Sequence, residues 1–366
     1  MRLGVSAALI GDRLVPGDLE VVDGVVVRYG IAPANGRPAG RIAAPGFVDL
    51  QVNGFGGVDF LDCDSAGYRR AGEALLETGV TSYLPTLITS PEEQLLRALG
   101  EIPVASDGPT ILGAHLEGPF LAASRLGTHP ARARRDPDLA LLDRLLEGGP
   151  VRLMTIAPEL PGADDLIDAL TSRGVVASCG HSDATANEAN AAFDRGVKTV
   201  THIFNAMRPF RHRDPGIVGA ALARDDVVVQ AIFDGIHLAP ETARVIWSAA
   251  AGRVALVTDA VAGAGLSDGA YSLGGFEVNI TDGVARGPDG VLAGSALTMI
   301  DAVHNLHALG VPLPDALAAA SSVPARVLSE SRLGRLGAGL PADIVVLDDN
   351  LAIDRVLVRG EALVVC

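Results

Sequence analysis

The sequence predicts an α/β fold: a (β/α)8 TIM-like barrel with a small β-sandwich domain formed by the N- and C-terminal segments. Three observations predict it. Eight short apolar, β-branched runs recur beyond residue 45, amphipathic stretches separate most of them, and the two chain ends instead alternate apolar with polar residues between hairpin turns. The 366 residues suffice for one large barrel and an appendage.

Residues 1–44 include GDRLVPGDLEVVDGVVVRYG, whose alternation is the period of half-buried strands. The eight runs follow at 47–53, 82–89, 110–117, 151–158, 175–181, 199–205, 227–234 and 254–259. Runs of this kind suit strands buried on both faces, as a parallel barrel requires. Between them, residues 91–99, 139–146, 164–173 and 241–251 space their apolar side chains as helices do. After the eighth run, Gly-Gly, Asp-Gly and Pro-Asp-Gly turns mark 271–291 as an irregular β insertion. The tail ADIVVLDDNLAIDRVLVRGEALVV alternates like the beginning. Segments 1–44 and 336–366 are therefore expected to pair into one small β domain around a barrel of 45–335.

The formal net charge of -15 and pI near 4.9 argue against nucleic acid or an anionic membrane as partner, since both select basic surfaces. An anionic small molecule would need a local positive site. MRLGVSAALIGDRL lacks the long apolar core of a secretory signal, and no apolar run approaches a membrane span. Cys63, Cys179 and Cys366 are far apart and form no CxxC pair, so no disulfide framework is expected. A cytoplasmic protein is the expectation.

Catalytic groups of such barrels stand at the carboxyl ends of the strands, and polar residues terminate most of these runs. Glu117, His181 and His202 form the best ligand set: one carboxylate and two imidazoles suit zinc or iron(II) and leave a coordination position open. Singly, each would read as a hydrogen-bonded strand end; their joint placement favours a metal. Asp259 ends the apolar Val-Ala-Leu-Val-Thr run and is expected to point into the barrel mouth as a proton acceptor. The competing role, a helix cap, is poorly served by the Ala-Val-Ala-Gly-Ala-Gly that follows. The sole lysine, Lys198, lies roughly 13 Å of extended strand before His202, toward the wrong end of the barrel. A carbamylated lysine bridging two metals is thus excluded, and the first run offers Gln51 and Asn53 where two-metal hydrolases present His-x-His. One divalent ion per subunit is expected, zinc before iron, cobalt or manganese, with Gln51 and Asn53 as candidate contacts to its water.

The chain resembles the N-acetylglucosamine-6-phosphate deacetylases of the amidohydrolase superfamily. The resemblance spans nearly the whole chain, through PGFVDLQVNGFGGVDF (45–60), HLEGPF (115–120), LGTHP (126–130), GHSDAT (180–185), THIFNAM (201–207), DPGIVGA (214–220), FDGIHL (233–238), LVTDA (256–260) and LAGSALTMI (292–300). It implies metal binding by Glu117, His181 and His202, with Asp259 as acid/base and His129 as a second catalytic group at the acyl oxygen. It further implies substrate roles for Thr128, Asn205, Ala206, Asp234, Gly235, Ile236, His237, Ala293, Gly294 and Ser295. Members pair as homodimers in which an arginine before the Pro-Gly element reaches the neighbour's substrate phosphate; that position is Arg213, with Arg211 beside it in RPFRHRDPG.

The implied reaction removes the acetyl group of an amino-sugar phosphate: Asp259 takes the proton of the attacking water and passes it to the departing amine. The alternatives are a cyclic amidase of the dihydroorotase or hydantoinase kind, which normally needs the missing lysine and His-x-His, and a non-catalytic barrel-fold binding protein. His115 is expected inside the barrel wall, and His212, His304 and His307 carry no motif.

Overall fold

Apolar and β-branched residues dominate eight parallel strands: β1 (Phe47–Val52), β2 (Val80–Ile88), β3 (Ala114–Glu117), β4 (Val151–Ile156), β5 (Val176–Cys179), β6 (Thr199–Val200), β7 (Val228–Ala231) and β8 (Val254–Leu256). The structure is a computed structural model and describes residues 1–32 and 40–365. Each strand hydrogen-bonds in parallel to the next in chain order. Closure of β8 onto β1 is made by a single parallel bridge, Val52 to Ala260, and by the Asp259 N–H donating to the Gln51 carbonyl at 2.9 Å. Below that seam the buried Asp49 carboxylate accepts from the Thr258 hydroxyl at 2.6 Å, so side chains complete what the ladder leaves open.

Helices α1 (Ser65–Glu77), α2 (Glu92–Gly100), α3 (Leu139–Glu147), α4 (Ala163–Ser172), α5 (Ala186–Asp194), α6 (Gly216–Ala223), α7 (Pro240–Ala250) and α8 (Met299–Ala308) connect or follow the strands, and two shorter helices, α9 (Leu313–Ala319) and α10 (Ser322–Val327), follow α8. Local chemistry starts several of them. Asp64 caps α1 through the Gly67 N–H and Asp138 caps α3, while Thr185 and Glu188 form a reciprocal capping box on α5. Among the described residues no helix is long and apolar enough to cross a membrane.

All the strands but β2 are shorter than the runs that predicted them, and in two cases the backbone shows why. The third run breaks into Thr110–Ile111 and β3, because the chain passes close to β4 at Gly113, where φ is +120° and a Cβ would lie 2.4 Å from the Pro150 carbonyl oxygen. The sixth stops at Val200, because His202, Phe204 and Ala206 adopt left-handed backbone angles that cannot continue a ladder.

Both chain ends share one six-stranded sheet, ordered Arg13–Pro16, Ala7–Ile10, Ile42–Pro45, Ile344–Leu347, Ile353–Val358, Glu361–Val365. Alternation explains how it packs. Ile344 and Val346 join Leu19, Val21 and Val26 of the Asp18–Val22/Val25–Ile31 hairpin in a small separate core, whereas Val345 and Leu347 face the barrel core. Between β8 and α8, residues 269–286 form a three-stranded antiparallel sheet over the barrel mouth, and its Leu273 reaches the pocket described below.

Candidate active site

Three strands end two or three residues before the groups they send into the barrel mouth. β5, β6 and β8 stop at Cys179, Val200 and Leu256, and His181, His202 and Asp259 then take φ angles of 47°, 28° and 50°. A left-handed angle costs a residue other than glycine roughly 1–2 kcal/mol and persists only where the surroundings impose it. Here it turns three side chains off the barrel wall toward one point.

Glu117, the last residue of β3, lies at that point. Its Oε1 is 2.8 Å from His202 Nε2 and 3.2 Å from His181 Nε2, and the two nitrogens are 3.1 Å apart. His129 Nε2 stands 3.5 Å from the other carboxylate oxygen, Oε2. His181 Nδ1 is 2.9 Å from the Arg125 carbonyl oxygen, which can only accept, so Nδ1 carries the hydrogen. Its Nε2 lone pair then faces the Glu117 oxygen, acceptor against acceptor, an arrangement that calls for a cation. A tetrahedral ion with bonds of about 2.1 Å would hold its donors about 3.4 Å apart, close to these spacings. One carboxylate and two imidazoles of this geometry fit a divalent metal of borderline character. Glu117, His129 and His181 form an overlapping triplet within 4.8 Å, so His129 stands against the same cluster.

Charge in this buried cluster is strongly redistributed. Burial alone would raise Glu117, but its contacts with His129, His181 and His202 outweigh it and hold the carboxyl well below its ordinary value. Burial lowers His129 to about 4, with the neighbouring His181 adding to the effect, so its imidazole is neutral near pH 7. Its Nδ1 rests on Thr89 Oγ1 at 2.9 Å, leaving Nε2 toward the pocket.

Asp259 faces this cluster from β8. Its Oδ1 accepts from Gln51 Nε2 at 3.0 Å and from Asn53 Nδ2 at 2.8 Å, and the same Gln51 amide donates to Glu117 Oε1 at 3.0 Å. One neutral amide therefore spans two carboxyls. Burial, and then the Glu117 charge, holds the Asp259 carboxyl above the usual carboxylate range. Behind it, the Ser295 N–H donates to the Asp259 carbonyl at 2.9 Å, and Gly294, at φ +59°, brings its backbone so close that a Cβ would lie 2.6 Å from that carbonyl oxygen.

These groups open into a pocket of about 360 Å³. Asn53, Thr128, Asn205, Ala206, His237 and Gly294 line it together with Glu117, His129, His181, His202 and Asp259. The other expected site residues lie elsewhere. Gln51, Ala293 and Ser295 are buried behind the wall. Asp234 orients His237, its Oδ2 lying 2.6 Å from Nδ1 and its Oδ1 accepting the His237 and Ile236 N–H groups. Gly235 and Ile236 form that turn, Ile236 being exposed, and Arg213 is exposed on a loop outside the lining. Among the described residues neither arginine nor lysine lines this pocket.

His115 is buried in the barrel between Thr86 and Thr155, and His304 and His307 bond main-chain carbonyls. Sequence reasoning passed over the pocket's apolar wall, which includes Ile88, Leu273, Val291 and Leu292. Ile88, inside the run read as 82–89, carried no signal of its own, since that run ends on the polar Thr89; in the fold it pairs in register with Glu117.

Residues 42–363 match the amidohydrolase family. The chain belongs to the amidohydrolase family. Within it, the chain is 42% identical over 341 residues to the human N-acetylglucosamine-6-phosphate deacetylase, covering 88% of this chain and 83% of that one. It is 35% identical to the N-acetylgalactosamine-6-phosphate deacetylase of Escherichia coli O157:H7, covering 94% and 93%. A solved N-acetyl-D-glucosamine-6-phosphate deacetylase from Mycobacterium smegmatis, an aspartate-to-alanine mutant in complex with N-acetyl-D-glucosamine 6-phosphate, superposes with a TM-score of 0.92 at 37% identity over 98% of both chains. For an amidohydrolase, the mouth described above is the expected place of reaction, and the fold is the barrel with a terminal β-sandwich that the sequence predicts.

Proposed function

We propose that this chain hydrolyses the acetamide of N-acetyl-D-glucosamine 6-phosphate to D-glucosamine 6-phosphate and acetate, in amino-sugar catabolism or recycling. The observation that carries the reading is the Glu117–His181–His202 cluster facing Asp259, with the Gln51 amide joining the two carboxyls. Relatives of that name across most of the chain supply the substrate class.

Glu117, His181 and His202 would hold one divalent ion, zinc by the borderline donor set, with iron, cobalt or manganese as substitutes. When bound, it supplies Lewis-acid charge to the acyl oxygen and to the attacking water. Asp259, raised and held by two amides, takes the proton of that water and delivers it to the departing nitrogen. Neutral His129 donates from Nε2 to the acyl oxygen as charge develops there. Thr128, Asn205, Ala206, His237 and Gly294 cradle the sugar, while Ile88 and Leu273 wall off water on the apolar side.

Because the lining, among the described residues, holds no arginine or lysine, the phosphate needs a cation from outside it. We assign that role to Arg213 of a second copy in a homodimer, with Arg211 as the alternative. We place the domain boundaries at 1–44, 45–335 and 336–366, and the protein in the cytoplasm, where uncombined Cys63 and Cys179 are at home.

The test is acetate release on a panel of N-acetylhexosamine 6-phosphates, with metal measured on the same sample. Acetate from the glucosamine compound together with one ion per subunit is expected. Turnover of cyclic amides instead, or metal without acetate, would refute the reading, and the panel also decides whether the galactosamine epimer is accepted.

A further inference from the structure

We propose that Asp183 is a positioning residue for the metal ligand His181, acting through Arg125; the inference rests on reading Glu117, His181 and His202 as ligands. A metal-bound imidazole needs its second nitrogen held, because that bond sets the tautomer and the ring orientation. For His181 the holder is a main-chain carbonyl, that of Arg125, at 2.9 Å. This carbonyl belongs to no sheet. It lies in the short 3-10 turn Ala123–Arg125, on the segment that runs from β3 to Thr128 and His129.

The Arg125 side chain tethers that turn. Its Nε and Nη2 both donate to Asp183 Oδ1, at 2.8 and 2.6 Å. Asp183 stands two residues after His181, so one short segment carries both the ligand and the clamp on the carbonyl that orients the ligand. The segment is itself fixed: the Asp183 N–H and the Ser182 hydroxyl each donate to a Glu159 oxygen, at 2.5 and 2.8 Å. Asp183 Oδ2 accepts in turn from Arg208 Nη1 at 3.2 Å, and Arg208 continues to Asp214 at 2.8 Å. The carboxylate thus lies between two guanidinium groups that draw three loops of the mouth together.

An ion pair whose partners keep 29% and 35% of their side-chain surface in water contributes little to global stability. Its contribution here is geometric, and that separates the proposal from a merely solvated salt bridge. Loss of the carboxylate frees the Arg125 turn, the His181 Nδ1–H loses a fixed acceptor, and the ligand is no longer held in its bound orientation.

The experiment is zinc affinity by competition with a chromophoric chelator, with melting of the metal-free protein measured alongside. Asp183→Ala is expected to weaken zinc binding about 10–100-fold, the range for a removed partner of a ligating histidine, while metal-free melting stays near that of the parent. Arg125→Ala should show the same loss and the double variant no more, since both act through one contact. Asp183→Asn, which keeps one acceptor oxygen, should fall between. Parental zinc affinity in Asp183→Ala, or losses that multiply in the double variant, would overturn the clamp. Should Asp183→Ala not fold, Asp183→Asn and Arg125→Ala decide by the same measure. A parent chain that binds no divalent ion overturns the ligand reading itself, an outcome distinct from a tight-binding Asp183→Ala.

Discussion

Replacing Asp259 with asparagine separates proton transfer from metal binding. Asp259 Oδ1 accepts from Gln51 Nε2 at 3.0 Å and Asn53 Nδ2 at 2.8 Å. An asparagine there must keep its carbonyl oxygen on those two donors, because its own NH2 would meet donor against donor. Its amide nitrogen therefore falls where Oδ2 stood, and only the proton acceptor is lost. General acid–base catalysis contributes about 10²–10⁴-fold, so kcat should fall by that factor, equivalent to roughly 2.7–5.4 kcal/mol of barrier. The contacts that bring Glu117, His181 and His202 together do not involve Asp259, so metal content should stay at the parental level. The assay is acetate release at saturating N-acetyl-D-glucosamine 6-phosphate with metal quantified on the same sample. A near-parental kcat would refute the reasoning, and loss of the metal together with turnover would make Asp259 a ligand instead.

Other perturbations probe the seam and its supports. Burial pushes the Asp49 carboxyl up to about 7 from 3.8. Between those values the folded chain keeps a proton that the unfolded chain has released, so this group's contribution to stability declines as pH rises from about 4 to about 7 and is flat above. The span corresponds to on the order of 4 kcal/mol, and Asp49→Asn should flatten it; equal pH dependence of the urea midpoint in both proteins would count against this. Gly294→Ala places a Cβ 2.6 Å from the Asp259 carbonyl at a φ of +59°, and should lower kcat at least tenfold or so by displacing the acid/base. Unchanged turnover in that variant would show the turn to be pliable. Chelation should abolish acetate release, added divalent metal should restore it, and the loaded protein should gain about 4 kcal/mol at a thousandfold excess over Kd. A fully active metal-free sample would contradict the ligand set.

Much of the site was legible because barrel chemistry is local to strand ends. A polar residue closing a β-branched run, as Glu117, His181, His202 and Asp259 do, is visible without any long-range contact. The lone Lys198 was equally informative, and it is exposed at the start of β6. The apolar wall was not legible, since Leu273 and Ile88 look like ordinary core residues until the 269–286 sheet folds over the mouth. Gln51 was read as a candidate contact to the metal's water; that its amide links carboxyls 66 and 208 residues away in sequence was not legible.

What the sequence by itself determined is the alternation of buried strands with amphipathic helices, the pairing potential of the two ends, and the donor types at each strand terminus. Periodicity and side-chain chemistry are properties of neighbouring residues, so they survive without a tertiary frame. Only the fold decided which termini meet. Barrel closure brings Gln51 to Asp259 across the first and last strands, and left-handed turns at His181, His202 and Asp259 rotate their side chains inward. Those angles are unfavourable locally and exist because the packed barrel imposes them, which is why no local pattern announces them.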